Sequence, residues 1–488
     1  MASWARIRHL SFAVASLLSL FSVIWLQLAY NDKVGAAALP RIVSWHGWAR
    51  LTRRHQYGYI FTDLGRGRPG QGPGKAHVHL LVPGNQANSR ICRTLMSAII
   101  NDYPPPVVIN WGQNEGDGSM NGYDMTTGKN WGVLKYLRAL PTAAEKDLVI
   151  IVDAHDVIFQ LPLDITLQRY QSVNERASAR LDSQHGLEDV TRHNLRQTVI
   201  MGAEKYCWPL DHRHPACWAV PGSTLRPDAY GNATDKATET NRPRWLNSGT
   251  VMGPVADLLA LYEWAHLLWK AYDTWGGDQD YFSNIYGRQE LSRQKLRGSR
   301  EWVFGFGETF KDDELTWPHL ETQHTDYHLG VDLASTVFQD LNSALDDLSS
   351  VTHSNLTEVE MNDRQHGTAD IYQTPFPFPE DLLRAPLPTE VRRDRANKTV
   401  ANWMDMPLFS NFHARSIPAI LHFNGDKTKI DDWWARQWWT GQGRELLRAR
   451  MSDPGFAIKT DGITNNTAPW DEMCGAFDRE LFIDDPSS

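Results

Sequence analysis

A chain of 488 residues, 41% apolar and 22% charged, has ample material for a large core, in one large α/β domain with insertions or in two to three domains. The formal charge of −9, with no dense basic block beyond short arginine clusters, argues against a nucleic-acid partner.

Arg6 and Arg8 precede an uncharged apolar run, Leu10 to Ala29, long enough to span a bilayer. Basic residues before the run, with Asp32 and Lys33 cancelling after it, favour a cytosolic N-terminus. The expectation is a cytosolic tail over 1–9, a transmembrane signal anchor over 10–30 and a luminal remainder. A cleaved signal peptide is the rival, because Ala36-Ala37-Ala38 contains an A-x-A-like site; the apolar run exceeds a usual h-region. Residues 31–74 read as a flexible stem ending in the Gly/Pro-rich stretch Gly65 to Gly74. Sequons at Asn232, Asn355, Asn397 and Asn465 suit a luminal glycoprotein. Four cysteines in an oxidising compartment suggest two disulfides with three possible connectivities; Cys207 with Cys217 is the local choice, which leaves Cys92 with Cys474.

The folded part, 75–488, opens with a strand at His77 to Val82 and an amphipathic helix over Ser89 to Asn101. A second strand follows at Val107 to Trp111, a helix at Lys129 to Leu140, and a third strand at Leu148 to Val152. This alternation predicts an α/β fold with a mostly parallel, doubly wound sheet flanked by helices. Further strands are expected at Thr198 to Gly202, after Arg244, near Phe338 and at Ile417 to Leu421. Helices are expected over Ala256 to Tyr272, from Gly276 to about Glu290, and around the tryptophans Trp433 to Trp439, which read as packing. The polar, Pro-containing residues 343–405 read as an irregular insertion.

The chemistry gathers at two strand ends. The apolar run to Val152 stops in Asp153 and Asp156, where open α/β sheets bind ligands. Two carboxylates facing one point need a cation or a proton between them; the plainer alternative is that they cap the next turn. A second apolar run ends in His422. If both strands share a sheet and a rim, Asp153, Asp156 and His422 suit a borderline divalent ion such as Mn²⁺.

In this combination the chain resembles the glycosyltransferase domain of the collagen lysyl hydroxylases, a metal-dependent GT-A-type family that uses UDP-sugars. The shared pieces run in order from about residue 77 to 430: the strand ending D-x-x-D (Asp153, Asp156); A-E-x-x-C-W-P (Ala203 to Pro209); L-N-S-G and a later Gly (Leu246 to Gly249, Gly253). Then come D-Q with aromatics (Asp278, Gln279, Tyr281, Phe282), V-F-Q and L-N after Asp332 (Val337 to Gln339, Leu341, Asn342), and H-x-N-G (His422 to Gly425). The resemblance implies that Asp153, Asp156 and His422 bind Mn²⁺, that Asn424 and Gly425 belong to the nucleotide-sugar site, and that Asn247 and Asp278 lie near the donor sugar. His155 stands where the family carries an aromatic that stacks on uracil. Gly276-Gly277 replace acids before D-Q, and Thr428 stands where related transferases want lysine; Lys427, Lys429 or Lys129 is left to reach the diphosphate.

These readings imply a type II membrane glycosyltransferase of the Golgi or endoplasmic reticulum, moving a hexose from a nucleotide-sugar to a glycan or glycoprotein acceptor. Asp278, Glu204 and Asp280 are candidates for nucleophile or base. A luminal glycan-binding or scaffolding protein that kept the fold and lost catalysis is the alternative from another class, and a metal-dependent phosphohydrolase a third. Trp208, beside the local disulfide, reads as core, and Asp332 and Gln339 as structural.

Overall fold

The run Leu148–Val152 is apolar at every position, and the computed structural model shows why: both faces of this strand are buried. The structure describes residues 77–114, 125–208, 214–271, 276–298, 301–303, 309–311, 326–388, 391, 400–461 and 467–483. The candidate anchor and stem lie outside these residues, as do Asn397 and Asn465. Among the described residues no helix is long and apolar enough to cross a membrane.

In chain order the first elements are β1 (Val78–Pro83), α1 (Ser89–Ile100), β2 (Val107–Ile109), α2 (Met125–Ala139), β3 (Leu148–Val152) and β4 (Val157–Phe159). They are followed by α3 (Leu163–His193), β5 (Val199–Glu204), β6 (Trp245–Pro254), α4 (Val255–Ala271) and α5 (Gly277–Leu296). A hairpin, β7 (Glu301–Val303) and β8 (Thr309–Lys311), precedes β9 (Leu329–Val331), β10 (Phe338–Asp340), β11 (Leu348–Thr352) and α6 (Leu356–Gln365). The last elements are β12 (Pro407–Asn411), β13 (Ile420–His422), α7 (Ile430–Ala435), α8 (Gly443–Met451), β14 (Ile458–Thr460) and β15 (Thr467–Ala468).

Eight strands form the central sheet in the order β15-β14-β2-β1-β3-β6-β5-β9. β14, β2, β1 and β3 pair in parallel, as do β5 and β9, so the sheet is mostly parallel. β6 runs antiparallel to both neighbours. The connection from β5 to β6 therefore leaves and re-enters on one rim. That places the start of β6, Trp245 to Gly249, beside the end of β3 and Asp153. The period of two along β1 and β3 divides the core. Leu80, Val82, Ile150 and Val152 face α1 and the C-terminal tryptophans, while Leu81, Val149 and Ile151 face α2, α4 and α5. Trp433, Trp434, Trp438 and Trp439 are buried in the first of these clusters, as expected, and Trp403 joins them. Two of the indole edges are served by backbone oxygens: Trp438 Nε1 donates to Gln160 O at 2.8 Å and Trp434 Nε1 to Leu481 O at 3.0 Å.

The structure departs from the sequence reading in the helix around the tryptophans, which stops at Ala435 before Trp438 and Trp439, and in three further places. First, β3 and β13 do not share a sheet. β13 lies in a separate three-stranded sheet, β10-β13-β4, parallel to β10 and antiparallel to β4. Second, the described part of residues 343–405 is not irregular. It holds β11 and α6, β11 pairs antiparallel with β12, and Val351, Val359, Phe376 and Leu382 join the first core cluster. Third, the 31-residue α3 has no counterpart among the expected elements; Gly186, at φ 76°, breaks it near its end.

Both disulfides take the local choice and its complement. Cys207 joins Cys217, and Cys92 on α1 joins Cys474, 382 residues away. The long bridge ties the C-terminal segment to the first helix. Asn232 and Asn355 are exposed. The Asn355 side chain also caps α6 by accepting from Glu358 N.

Candidate metal centre

The turn Asp153-Ala154-His155-Asp156 carries the chain out of the central sheet and into the small one. Asp153 directly follows β3, and Asp156 precedes β4. Backbone bonds hold both in place: Asp153 N donates to Gly249 O at 2.8 Å, and Phe423 N donates to Asp156 O at 2.8 Å. The second bond fastens the residue after His422 to the acid. Thus His422 reaches the carboxylates through the β4–β13 pairing, in which it opposes Val157.

The three side chains place ligand atoms within 4.8 Å of one another. His422 Nε2 lies 3.7 Å from Asp153 Oδ2 and 3.7 Å from Asp156 Oδ1. These spans exceed hydrogen bonds, yet suit atoms that share one small ion at roughly 2.0–2.2 Å each. His422 Nε2 and Asp156 Oδ1 are buried without a hydrogen-bond partner and face this point. One imidazole and two carboxylates are a fitting donor set for a divalent transition ion. The close approach needs glycine: a Cβ on Gly249 would stand 2.8 Å from Asp153 Oδ2 and 2.5 Å from His422 Nε2.

Two lysines balance the acids. Lys129 Nζ lies 2.8 Å from Asp153 Oδ1 and 2.5 Å from Asp278 Oδ2. Lys427 Nζ lies 2.7 Å from Asp156 Oδ2. Burial alone would lower the Lys129 ammonium, but the Asp153 and Asp278 carboxylates hold it well above its ordinary value. Burial alone would raise Asp153, but Lys129 and His422 hold it well below the usual carboxylate range. Burial would lower His422; Asp153, Asp156 and Asp340 instead push it up to about 10. A cation that takes Nε2 therefore replaces a proton, and binding strengthens as pH rises.

Beside the acids opens a cavity of about 490 Å³ whose lining includes Thr126, Trp208, Asn247, Ser248, Asp278, Gln279 and Asn424. Asp278 sits in the first turn of α5 and accepts from Ser248 Oγ at 3.0 Å. The amide orientations are set by the backbone. Gly249 N donates to Asn247 Oδ1 at 2.9 Å, so Asn247 Nδ2 donates to Gln279 Oε1 at 3.0 Å, and Gln279 Nε2 then donates to Glu204. From the other side, Leu341 N and Asn342 N donate to Asn424 Oδ1 at 2.9 Å each, so Asn424 Nδ2 donates to Glu204 Oε2 at 3.0 Å. Glu204 is thus a buried acid beneath the cavity wall, accepting on both oxygens. Burial first, then the Asp340 charge, push it up to about 8 against the pull of these amides.

The structure brings together Asp153, Asp156, His422, Lys129, Lys427, Asn247, Asp278 and Asn424. It does not bring in Lys429, which is exposed at the start of α7, nor Gly425, which packs against Asn342. His155 lies outside the lining residues, with Nδ1 3.3 Å from Asn88 Nδ2. Trp208 is not core: it is 38% exposed and lines the cavity. The disulfide at Cys207 holds its backbone at the rim. Asp332 and Gln339 are structural as expected: Asp332 Oδ2 accepts from Val337 N and Phe338 N, and Gln339 bonds Asn411. Sequence reasoning missed Asp340, whose Oδ1 lies 2.8 Å from His422 Nδ1. The only local signal is an acid closing the short strand Phe338-Gln339-Asp340; its pairing with His422 is long-range. No protein-family model matches the chain, and no curated protein matches it significantly.

Proposed function

We propose that the chain is a metal-dependent glycosyltransferase of the GT-A type, moving a hexose from a nucleotide diphosphate, UDP first among them, to a luminal glycan or glycoprotein acceptor. The observation that carries this reading is the convergence of Asp153, Asp156 and His422, with orphaned buried ligand atoms, on the edge of a polar cavity. Asp153, Asp156 and His422 would hold Mn²⁺ or a similar divalent cation. When bound, such an ion supplies Lewis-acid stabilisation to a departing diphosphate.

The remaining roles fall to the chain's own groups. Lys427, half-buried beside Asp156, brings an ammonium to the diphosphate as a point charge. Asn247 and Asn424 offer amide N–H groups to sugar oxygens, their polarity set by the backbone bonds behind them. Asp278 is held by Ser248 and Lys129 at the wall and is the carboxylate placed to accept a proton or to face the sugar. The Trp208 indole offers an apolar face to a sugar ring at the rim. Anchoring through residues 10–30 and a place in the Golgi or endoplasmic reticulum belong to the same proposal. The two disulfides and the exposed Asn232 and Asn355 support an oxidising lumen.

The test is hydrolysis and transfer from UDP-glucose and UDP-galactose by the full-length chain in detergent, with and without Mn²⁺, for the native protein and Asp156→Ala. Chelation should abolish turnover, and the variant should lose about a hundredfold or more. If metal adds nothing and the variant keeps full turnover, the reading is wrong.

A further inference from the structure

We infer that Asp340 is the positioning residue of the metal centre: its carboxylate holds the proton of His422 on Nδ1 and so turns Nε2, as the atom a cation takes, to the point between Asp153 and Asp156. This rests on the metal-binding part of the proposed function and is independent of sugar transfer.

Asp340 and His422 are direct partners in the parallel β10–β13 pair, both at the ends of their strands. Asp340 is 1% exposed, and its Oδ1 lies 2.8 Å from His422 Nδ1. Its Oδ2 has no hydrogen-bond partner. That oxygen packs against Gly202, where a Cβ would collide with it. The β5–β6 register shifts at the same place, between Met201 and Gly202. A bare glycine and an irregular ladder step thus make room for this carboxylate.

A buried carboxylate is costly, and a neutral acceptor would serve the Nδ1–H at lower cost. What the charge adds acts on His422. Nδ1 is the ring nitrogen within hydrogen-bond reach of Asp340, at 2.8 Å, and Nε2 is the one that faces Asp153 and Asp156 at 3.7 Å each, so a cation between those acids takes Nε2 and the ring proton stays on Nδ1. The same contact raises the basicity of the imidazole. A more basic nitrogen favours ions that bind imidazole well, Mn²⁺ and Co²⁺, over Mg²⁺, which prefers oxygen.

Asp340→Asn keeps the shape and removes the charge. If its amide nitrogen faces Nδ1, the ring proton moves to Nε2 and blocks the ligand atom. If its oxygen faces Nδ1, the nitrogen is buried at the Oδ2 position, where the native oxygen has no partner.

The experiment titrates the full-length chain, without nucleotide, with Mn²⁺ alone and with Mg²⁺ alone, and records the visible spectrum with Co²⁺. Asp340→Asn should bind Mn²⁺ at least about tenfold more weakly, lose less for Mg²⁺, and show a changed Co²⁺ spectrum. Native Mn²⁺ affinity in the variant overturns the inference. So does an equal loss for both ions, which marks a structural role only. If the variant does not fold, the native protein decides. With labelled histidine and Zn²⁺, His422 (assigned from His422→Gln) should show a protonated Nδ1 and a metal-bound Nε2; the reverse overturns the inference. Native protein that binds Mn²⁺ without transferring sugar would defeat the transfer reading and leave this one standing. Native protein that binds no Mn²⁺ overturns both.

Discussion

The Lys427 ammonium lies 2.7 Å from Asp156 Oδ2, while Oδ1 of the same carboxylate faces His422 without a hydrogen bond. One carboxylate thus serves two neighbours. Lys427 holds the outer oxygen, leaving the inner one for a cation. Lys427 is 40% exposed, so this pair contributes little to stability. Its value lies in charge at the cavity mouth. Lys427→Met should raise the donor KM about tenfold, the scale of one charge-assisted hydrogen bond. Mn²⁺ affinity should change by no more than about twofold. Parallel titrations with Mn²⁺ alone and with UDP plus Mn²⁺ separate the two; a loss confined to the metal would contradict the diphosphate role.

Asn88 and His155 carry a second prediction. Asn88 Oδ1 is committed to Arg90 N and Ile91 N at 3.0 Å each, as the cap of α1. Its Nδ2 must therefore donate to His155 Nδ1, which leaves the ring proton on Nε2 as an outward donor. Burial also lowers His155, so the ring is neutral at physiological pH. A neutral donor suits a base carbonyl. His155→Ala should weaken UDP binding about fivefold to tenfold and narrow the preference for UDP over ADP. An unchanged UDP to ADP ratio in competition calorimetry would remove His155 from base recognition.

Glu204 predicts a pH dependence. Its folded pKa, about 8, lies above its ordinary 4.5 because burial and Asp340 penalise the anion. The folded state therefore holds the proton more tightly than the unfolded chain. The associated stability is fully present below about pH 4.5 and is lost as pH rises through 8. Each tenfold difference in proton affinity between the two states contributes about 1.4 kcal/mol. Glu204→Gln removes this slope whatever its own offset. Denaturant midpoints measured in chelator at pH 6 and pH 9 should fall more for the native protein than for the variant. Equal slopes would place the Glu204 proton elsewhere.

The long disulfide is open to a direct stability test. Cys92 and Cys474 are buried, and their bridge closes a loop of 382 residues, so its loss frees the most denatured-chain entropy. The double variant Cys92→Ser, Cys474→Ser should lose about 2–4 kcal/mol in equilibrium unfolding. Cys207→Ser with Cys217→Ser spans only 10 residues and should cost less globally, but should loosen Trp208 and raise the acceptor KM.

What the sequence made legible follows from range. Asp153 and Asp156 stand out because a doubly buried strand ending in acids is a local pattern. The first three strands and the helices between them rest on the same short-range periodicity. The path by which His422 reaches the acids was not legible, since it depends on β4 leaving the central sheet to pair with β13. Asp340 was missed for the same reason: its partner is 82 residues away, and only the parallel register puts the two side by side. Trp208 misled because composition favours buried tryptophan, whereas a disulfide pins this one at the rim. Lys427 and Lys429 were indistinguishable by spacing, and the turn after β13 selects Lys427.

Gly249 gives the sharpest test that the cluster is a built site rather than a chance meeting of acids. Its backbone lies outside the left-handed region, so alanine is conformationally allowed and only space opposes it. The space is taken: the new methyl would press on the His422 ring and on Asp153 Oδ2. His422 cannot retreat, because it is 2% exposed and held by Asp340 on its far side. Asp153 is the softer partner, half-buried and tied to Lys129. The methyl should therefore push Asp153 outward and part it from Nε2. Overpacking of this kind costs about 1–3 kcal/mol, which a large core tolerates. Metal binding should suffer more than folding. Gly249→Ala should lose at least about tenfold in Mn²⁺ affinity and lose donor turnover with it, while still unfolding cooperatively. Gly222→Ala is the control, since a Cβ there meets nothing within 4 Å. Should Gly249→Ala bind Mn²⁺ as tightly as Gly222→Ala, the ion is not held between Asp153 and His422.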